Sequence, residues 1–165
     1  MTVKKRLAWF FPVLVLSLVL DQLTKAWARG ALVEGVSKDV IGAFWHWHLS
    51  FNTGVAFSMF ANLGAGRIVL PIIAAVVFAG VVWMAAKSEP TTRAQVLALG
   101  LIGAGALGNV IDRIVFGKVT DFVLWTAFGH AWPIFNVADV ALVVGVIVML
   151  VWRAPRPAAA TSAAA

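Results

Sequence analysis

The chain has 165 residues, of which 62% are apolar, with a mean hydropathy of +0.95 and a formal net charge of +6. This composition excludes an ordinary soluble globular domain, and the absence of cysteine excludes disulfides, thiolate metal sites and a cysteine nucleophile. The charge does not indicate a nucleic-acid groove, because the cations flank apolar segments, as topogenic charges do: Lys4, Lys5, Arg6, Lys87, Arg93, Arg153 and Arg156.

Four apolar segments are long enough to cross a bilayer, which takes about 20 helical residues. In chain order they cover about residues 7–28, 68–86, 94–115 and 134–152. All four are predicted to be helices, because unpaired backbone polar groups are not tolerated in lipid. We therefore predict an all-α membrane protein, a four-transmembrane-helix bundle formed by a single domain over residues 1–153.

The distribution of Lys and Arg predicts how this bundle is oriented. These residues concentrate at the N-terminus, in the turn 87–93 and near the C-terminus, so those parts are expected on the cytoplasmic side. Residues 29–67 and 116–133 are then extracytoplasmic. The Ala- and Pro-rich segment 154–165 is predicted to be a disordered cytoplasmic tail.

The first outer segment contains a predicted β-strand, because residues 44–52 alternate with a period of two. Its apolar side carries Trp45 and Trp47, which we expect in the lipid headgroup zone. Its polar side carries His46 and His48, which we expect to be interfacial, since no nearby His or Cys completes a metal site. The apolar residues 55–60 predict a short interfacial helix. The other outer segment adds a second aromatic group: Trp125, Phe128 and Trp132.

Asp121 and Asp139 carry the clearest sign of chemistry, since each lies at the end of a long apolar segment. A charged side chain costs roughly 2.5–3.5 kcal/mol at a bilayer centre and therefore usually marks a function. The predicted hairpin places both carboxylates on the outer side, where a close pair can share a proton and catalyse hydrolysis. The alternative is two independent aspartates, one facing headgroups and the other stabilised by a helix dipole.

Further polar residues share faces of the same helices. Asn109, Asp112 and Arg113 are spaced by three and four, so they lie on one side of the third helix. Arg113 either orients a substrate carbonyl or a catalytic carboxylate, or forms a structural pair with Asp112. Asn136 precedes Asp139 by three residues and can hold it by a hydrogen bond.

Two more patterns predict contacts inside the bundle. Asp21 and Lys25 are separated by four residues, so they can neutralise each other on the first helix. Gly100, Ala104 and Gly108 repeat every four residues, as in close helix–helix packing. The overlapping G-x-G-x-x-G pattern is not interpreted as a nucleotide site, because it lies inside an uncharged apolar helix.

Five blocks stand in order along the chain, at residues 21–25, 51–58, 105–113, 119–122 and 135–139. Together they resemble the lipoprotein signal peptidase family, also called signal peptidase II. The resemblance covers about residues 7–152. It implies an aspartic endopeptidase of the bacterial inner membrane, with an extracytoplasmic β-cradle. Such an enzyme removes signal peptides from diacylglyceryl-modified prolipoproteins and cuts just before the lipidated cysteine.

The resemblance also assigns expected roles to residues. It implies that Asp121 and Asp139 are the catalytic pair and that water is the nucleophile, with no cofactor and no metal. Asp21, Lys25 and Asp112 are expected to be structural. The partners implied are lipidated prolipoproteins and membrane lipids, with no nucleic acid, and a monomer is expected. Substrate-binding or supporting roles are expected for five residues: Asn52, Gly54, Asn109, Arg113 and Asn136.

Two other functions are compatible with a small polytopic protein. A transporter or proton-conducting subunit would use Asp139, Asp112 and Arg113 as an intramembrane relay. The segment 68–86 argues against it, because that segment contains no polar relay residue. A non-enzymatic assembly factor would tolerate Asn at both aspartates.

Overall fold

The structure, a computed structural model, describes residues 1–53, 66–87 and 92–152. These residues form four α-helices: α1 (Val3–Ala31), α2 (Gly66–Lys87), α3 (Arg93–Phe116) and α4 (Val137–Val151). Within the described part, α1 and α3 are long and apolar enough to cross a membrane. The predicted interfacial helix at 55–60, Gly54 and the tail 154–165 lie outside the described residues.

The first three helices contain the predicted segments, but the fourth segment begins later than expected. Residue 134 was predicted to start a span, whereas α4 starts at Val137 and has 15 residues. The chain stays extended before Val137 because Phe135 pairs with Val123, each backbone N–H donating to the other's carbonyl at 3.0 and 2.9 Å. α4 is therefore shorter than the length of about 20 residues that a full span takes.

An antiparallel sheet joins the two predicted outer segments. Its strands are β1 (Ser37–Ile41), β2 (Trp45–Asn52), β3 (Val119–Ala127) and β4 (His130–Ala131), in that spatial order. The alternation of residues 44–52 predicts only β2; β1, β3 and β4 lie elsewhere in the two predicted outer segments. The pairing of β2 with β3 has an irregularity after Trp47, beyond which Ser50 is opposite Asp121. The sheet therefore positions one of the two key aspartates.

Trp45 and Trp47 are partly exposed and also contact other aromatic rings, so their expected position in the lipid headgroup zone stays a prediction. The Trp47 ring lies 5.2 Å from Trp27 and 6.0 Å from Phe122, and Trp45 lies 5.5 Å from Trp47, between ring centroids. These aromatics pack around a buried cluster of Ala28, Leu49, Phe122 and Val123. The end of α1 therefore packs on the apolar face of the sheet, and the burial of apolar surface between them stabilises this contact.

Glycines allow α3 to pack closely against its neighbours, as the repeat predicted. A Cβ on Gly100 would lie 3.0 Å from the carbonyl oxygen of Phe10, and one on Gly108 would lie 2.5 Å from Asp21 Oδ2. A Cβ added to Gly105 would likewise be too close to the backbone carbonyl oxygen of Ala138 on α4. α3 is thus the central helix, in contact with α1, α2 and α4.

Candidate active site

The N-terminus of α4 is built by Asn136 and Asp139. Asn136 is the N-cap: its Oδ1 accepts a 3.1 Å hydrogen bond from the backbone N–H of Asp139. In return, Asp139 Oδ2 accepts a 3.1 Å bond from the backbone N–H of Asn136. This capping box satisfies two otherwise unpaired donors and places the Asp139 carboxylate in the first turn of the helix.

Asp121 approaches the same point from β3. Its side chain is 4% exposed, and its Oδ1 accepts a 2.6 Å hydrogen bond from Asn136 Nδ2. Asn136 therefore contacts both aspartates, one through its side-chain amide and one through its backbone. Asp121 also receives a hydrogen bond from the side chain of Asn52, at the end of β2.

The amide orientations around the aspartates follow from groups that can only donate. Lys25 Nζ donates to Asn109 Oδ1 at 2.9 Å, so the Asn109 amino group points the other way and donates to Asp139 Oδ1 at 2.9 Å. Asn136 Oδ1 faces the backbone N–H of Asp139, so its amino group faces Asp121 and Asn109 Oδ1, the latter at 3.1 Å. Asp139 is thus the acceptor of two N–H donors.

The environment of Asp121 favours its protonated form. Burial, and next to it the charge of Asp139, raises the pKa of Asp121 from 3.8 to about 7, although hydrogen bonds from Asn136 and Asn52 oppose the shift. Desolvation and a like charge both disfavour a carboxylate. The two aspartates therefore differ: one is buried and readily protonated near neutral pH, and the other is half-buried and accepts two N–H groups.

A buried cluster of three charged residues, Asp21, Lys25 and Asp112, connects α1 to α3 and α4. Lys25 Nζ lies 2.9 Å from Asp21 Oδ2 and 3.8 Å from Asp112 Oδ2, and all three side chains are at most 1% exposed. Asp21 Oδ1 accepts a 2.9 Å bond from the backbone N–H of Ala138, in the first turn of α4. The predicted Asp21–Lys25 pair is present, and it also ties Asn109 and α4 to α1.

One of the two expectations for Arg113 was a structural pair with Asp112. The structure instead gives Asp112 partners on β3 and α1. Its Oδ2 accepts a 2.8 Å bond from the backbone N–H of Thr120 on β3, and its Oδ1 lies 3.7 Å from Arg29. Arg29 also donates to the Thr120 hydroxyl at 2.9 Å. Sequence reasoning missed Arg29, although its spacing of four from Lys25 would have placed it on the same helical face.

Arg113 lies on the side of α3 that faces the aspartates. Its Nη1 donates to the backbone carbonyl of Asn109 at 3.3 Å, and the guanidinium interacts electrostatically with Asp121, Asp139 and Asp112. The side chain is partly exposed. A fixed cation here can stabilise negative charge that develops next to the carboxylates.

A cleft of about 310 Å³ opens beside Asp121. The Lys118 ammonium lies 3.3 Å from the centroid of the Phe51 ring, which is part of the wall. The cleft combines the end of β2 and the start of β3 with the segment before α4, so it can accept an extended peptide next to a carboxyl group. The lining residues are Ser50, Phe51, Asn52, Thr53, Asp121, Pro133 and Ile134.

The histidines of β2 are engaged within the sheet. His46 Nδ1 lies 2.7 Å from Asp39 Oδ1, and His48 Nδ1 lies 2.7 Å from Ser37 Oγ. The part of the chain that the structure describes contains no group of three or more His, Cys, Asp or Glu residues able to hold a metal ion.

A family model and the sequence relatives of this chain carry the same kind of name. A family model described as signal peptidase (SPase) II matches residues 13–154. A protein named lipoprotein signal peptidase from Xylella fastidiosa (strain 9a5c) is 41% identical over 132 residues, which is 79% of this chain and 78% of the relative. One of the same name from Xanthomonas euvesicatoria pv. vesicatoria (strain 85-10) is 39% identical over 135 residues, 81% of this chain and 78% of that relative.

Solved structures resemble the fold as well. Two bacterial membrane enzyme structures obtained by the in meso method, at 1.9 and 2.3 Å resolution, have TM-scores of 0.79 and 0.76. Each is 32% identical in sequence to this chain, and each match covers 86% of this chain. The match covers 89% of the chain in the 1.9 Å structure and 84% of the chain in the 2.3 Å structure. Together with the apolar helices, this similarity indicates a membrane protein.

Proposed function

The chain belongs to the signal peptidase II family, and we propose that it is an aspartic endopeptidase that cuts diacylglyceryl-modified prolipoproteins just before the lipidated cysteine. The single observation that carries the aspartic mechanism is that Asn136 contacts both Asp121 and Asp139. The names of the relatives favour proteolysis over the transporter alternative.

In the proposed reaction, the two carboxyl groups have different tasks. Asp139, the acceptor of N–H groups from Asn109 and Asn136, is the ionised base that takes a proton from water. Asp121, with a pKa near 7, is the acid that donates its proton to the carbonyl oxygen of the scissile bond. Well-placed acid–base catalysis of this kind accelerates a reaction by about 10²–10⁴-fold.

The attack forms a bond between the water oxygen and the carbonyl carbon, giving a neutral tetrahedral diol. The protonated Asp139 then gives its proton to the nitrogen of the scissile bond, and the carbon–nitrogen bond breaks as the ionised Asp121 recovers a proton from a hydroxyl of the diol. Arg113 is expected to stabilise charge on the reacting oxygen, since it interacts with both carboxylates. The products are a signal peptide with a new carboxyl terminus and a lipidated cysteine with a free amine.

The proposal also covers the location of the enzyme and its orientation in the membrane. We expect it in the bacterial inner membrane, with α1–α4 crossing or entering the bilayer and both termini on the cytoplasmic side. The carboxylates then lie at the extracytoplasmic surface, where a diacylglyceryl group would hold the scissile bond at the correct depth. The cleft beside Asp121 is suited to an extended peptide segment, and fixing that segment lowers the entropic cost of reaction.

The test uses purified protein and a synthetic or purified lipidated prolipoprotein, with cleavage followed as a gel shift. Asp121→Asn and Asp139→Asn are each expected to lower the cleavage rate by about 10²–10⁴-fold, because each removes a proton-transfer group. Asp39→Asn is the matched control: Asp39 is an exposed aspartate on β1 that bonds to His46, so its replacement should leave the rate within twofold.

Folding is checked separately by thermal unfolding in detergent. Cleavage within tenfold of the unsubstituted rate by either Asp121→Asn or Asp139→Asn, in well-folded protein, would rule out the two-aspartate mechanism. Equal loss in Asp39→Asn would show that the effect is not specific to the site.

A further inference from the structure

A second cavity lies at the opposite end of the bundle from Asp121 and Asp139. It has a volume of about 470 Å³, and it is formed where α1 begins and α3 begins. Lys5 precedes Asp21 by 16 positions on α1, a distance of about 24 Å along a helix. The cavity is therefore separate from the proposed active site. Its lining residues are Met1, Thr2, Lys5, Trp9 and Arg93.

The cavity concentrates positive charge from two helices. Lys5 belongs to α1 and Arg93 to α3, and no acid is among the described residues that line the cavity. The first turns of both helices lack acidic residues, so their N–H dipoles add to the positive potential. The Arg93 guanidinium carbon lies 5.6 Å from the centroid of the Trp9 ring, a cation–π contact that holds the guanidinium at the cavity wall.

These features match a phosphate group. A guanidinium presents a planar fork of N–H donors that fits phosphate oxygens, and an ammonium adds a point charge. Trp9 is 46% exposed, as is typical of a tryptophan at a membrane interface. Beyond the cavity, the face of α1 that carries Trp9 continues, at spacings of seven and eleven residues, with the exposed apolar side chains of Leu16 and Leu20, along which an acyl chain can lie. An apolar surface beside the charges favours a lipid over a free anion.

We propose that this cavity binds the phosphate of an anionic phospholipid headgroup. Lys5 and Arg93 hold the phosphate, and Trp9 borders the glycerol and the start of an acyl chain. Basic pockets between membrane helices are known to suit such headgroups. The bound lipid links the beginnings of α1 and α3, on the side of the membrane away from the aspartates. The proposal does not depend on the proteolytic function.

The experiment measures lipid binding to the full chain in detergent by native mass spectrometry. The probes are dioleoylphosphatidylglycerol, dioleoylphosphatidylcholine and inorganic phosphate. We expect at least fivefold tighter apparent binding of phosphatidylglycerol than of phosphatidylcholine. Lys5→Gln and Arg93→Gln are each expected to reduce phosphatidylglycerol affinity at least fivefold, and Arg93→Lys should retain most of it.

Lys4→Gln is the matched control, because Lys4 is next to Lys5, carries the same charge and does not line the cavity. It should change the affinity by less than twofold. Equal losses in Lys4→Gln and Lys5→Gln would overturn the proposal in favour of diffuse charge attraction. The absence of a phosphatidylglycerol preference would overturn it too, as would displacement of the lipid by millimolar inorganic phosphate. Thermal unfolding without lipid identifies any misfolded variant, and Lys5→Gln tests the site without altering the start of α3.

Discussion

Asn136 donates a 2.6 Å hydrogen bond from its side-chain amide to Asp121 Oδ1. The conformation of Asn136 is set by its place as the N-cap of α4, where its oxygen accepts from the first turn of the helix. A residue that starts a helix thus contacts the carboxyl group on β3. The position of Asp121 relative to Asp139 is therefore tied to the beginning of α4 and not to a mobile side chain.

Cleavage should decline as the pH rises above about 7. The pKa of Asp121 is raised to about 7 by burial and by the charge of Asp139, and the proposed acid must be protonated. A single essential proton predicts a tenfold loss in kcat/KM for each pH unit above that value. The measurement is the cleavage rate from pH 5.5 to 9 at constant ionic strength. A flat profile across pH 6–9 would contradict this role for Asp121.

Stability should depend on pH through the same group. Its folded-state pKa is raised, so the stabilisation by its proton is fully present below about pH 4 and is lost as the pH rises through about 7. Asp121→Asn removes this dependence. The variant should gain stability over the unsubstituted protein by up to about 1.4 kcal/mol per pH unit in that window. Denaturant unfolding in detergent at pH 4, 5.5, 7 and 8 measures the difference, and a constant difference would refute it.

Asn52→Ala should move the falling limb of the rate profile to higher pH. The hydrogen bond from Asn52 stabilises the ionised form of Asp121, so its loss raises the pKa of Asp121 further. Ser37→Ala, on the outer strand of the sheet, is the control, since Ser37 bonds to His48 and not to the site. A limb that stays in place, or moves to lower pH, would show that Asn52 does not act on this ionisation.

Lys25→Met should destabilise the bundle by about 3–5 kcal/mol, the usual cost of removing one partner of a buried ion pair. Lys25 is fully buried, and its ammonium neutralises Asp21 and supports Asn109. The double variant Lys25→Met with Asp21→Asn should recover part of this loss, because the unpaired carboxylate is gone. Denaturant unfolding of the two single variants and the double variant measures the coupling, and strictly additive losses would contradict it.

Gly108→Ala should destabilise the packing of α1 and α4 on α3, by about 1–3 kcal/mol. The added Cβ would lie 2.5 Å from Asp21 Oδ2 and 3.2 Å from the Cβ of Ala138. Gly80→Ala is the matched control, since Gly80 is a helical glycine on α2 with nothing within 4 Å of an added Cβ. That control should be neutral or stabilising by about 0.5–1 kcal/mol. Thermal unfolding in detergent compares the two, and an equal response would be evidence against the close packing.

Some features of the outer face were predictable only in part. The alternation of residues 44–52 predicts β2, but the same alternation does not say which surface covers Trp45 and Trp47. In the structure Trp47 packs against Trp27 and Phe122, and Trp45 packs against Trp47. β3 carries Asp121 and has no such alternation: its first five residues are all buried although Thr120 and Asp121 are polar, so its sequence does not separate a polar face from an apolar one.

Local sequence determined the apolar helices and the spacing that pairs Asp21 with Lys25. It also determined that Asp121 lies shortly after one apolar helix and Asp139 near the start of another. These features depend on segment length and helical period, which any short stretch contains. The tertiary structure alone decided that Asn136 reaches Asp121, that Lys25 orients Asn109, and that Asp112 supports β3 instead of pairing with Arg113. These contacts join residues from different elements, and their hydrogen-bond directions are set by donors far away in the chain, so no local pattern records them.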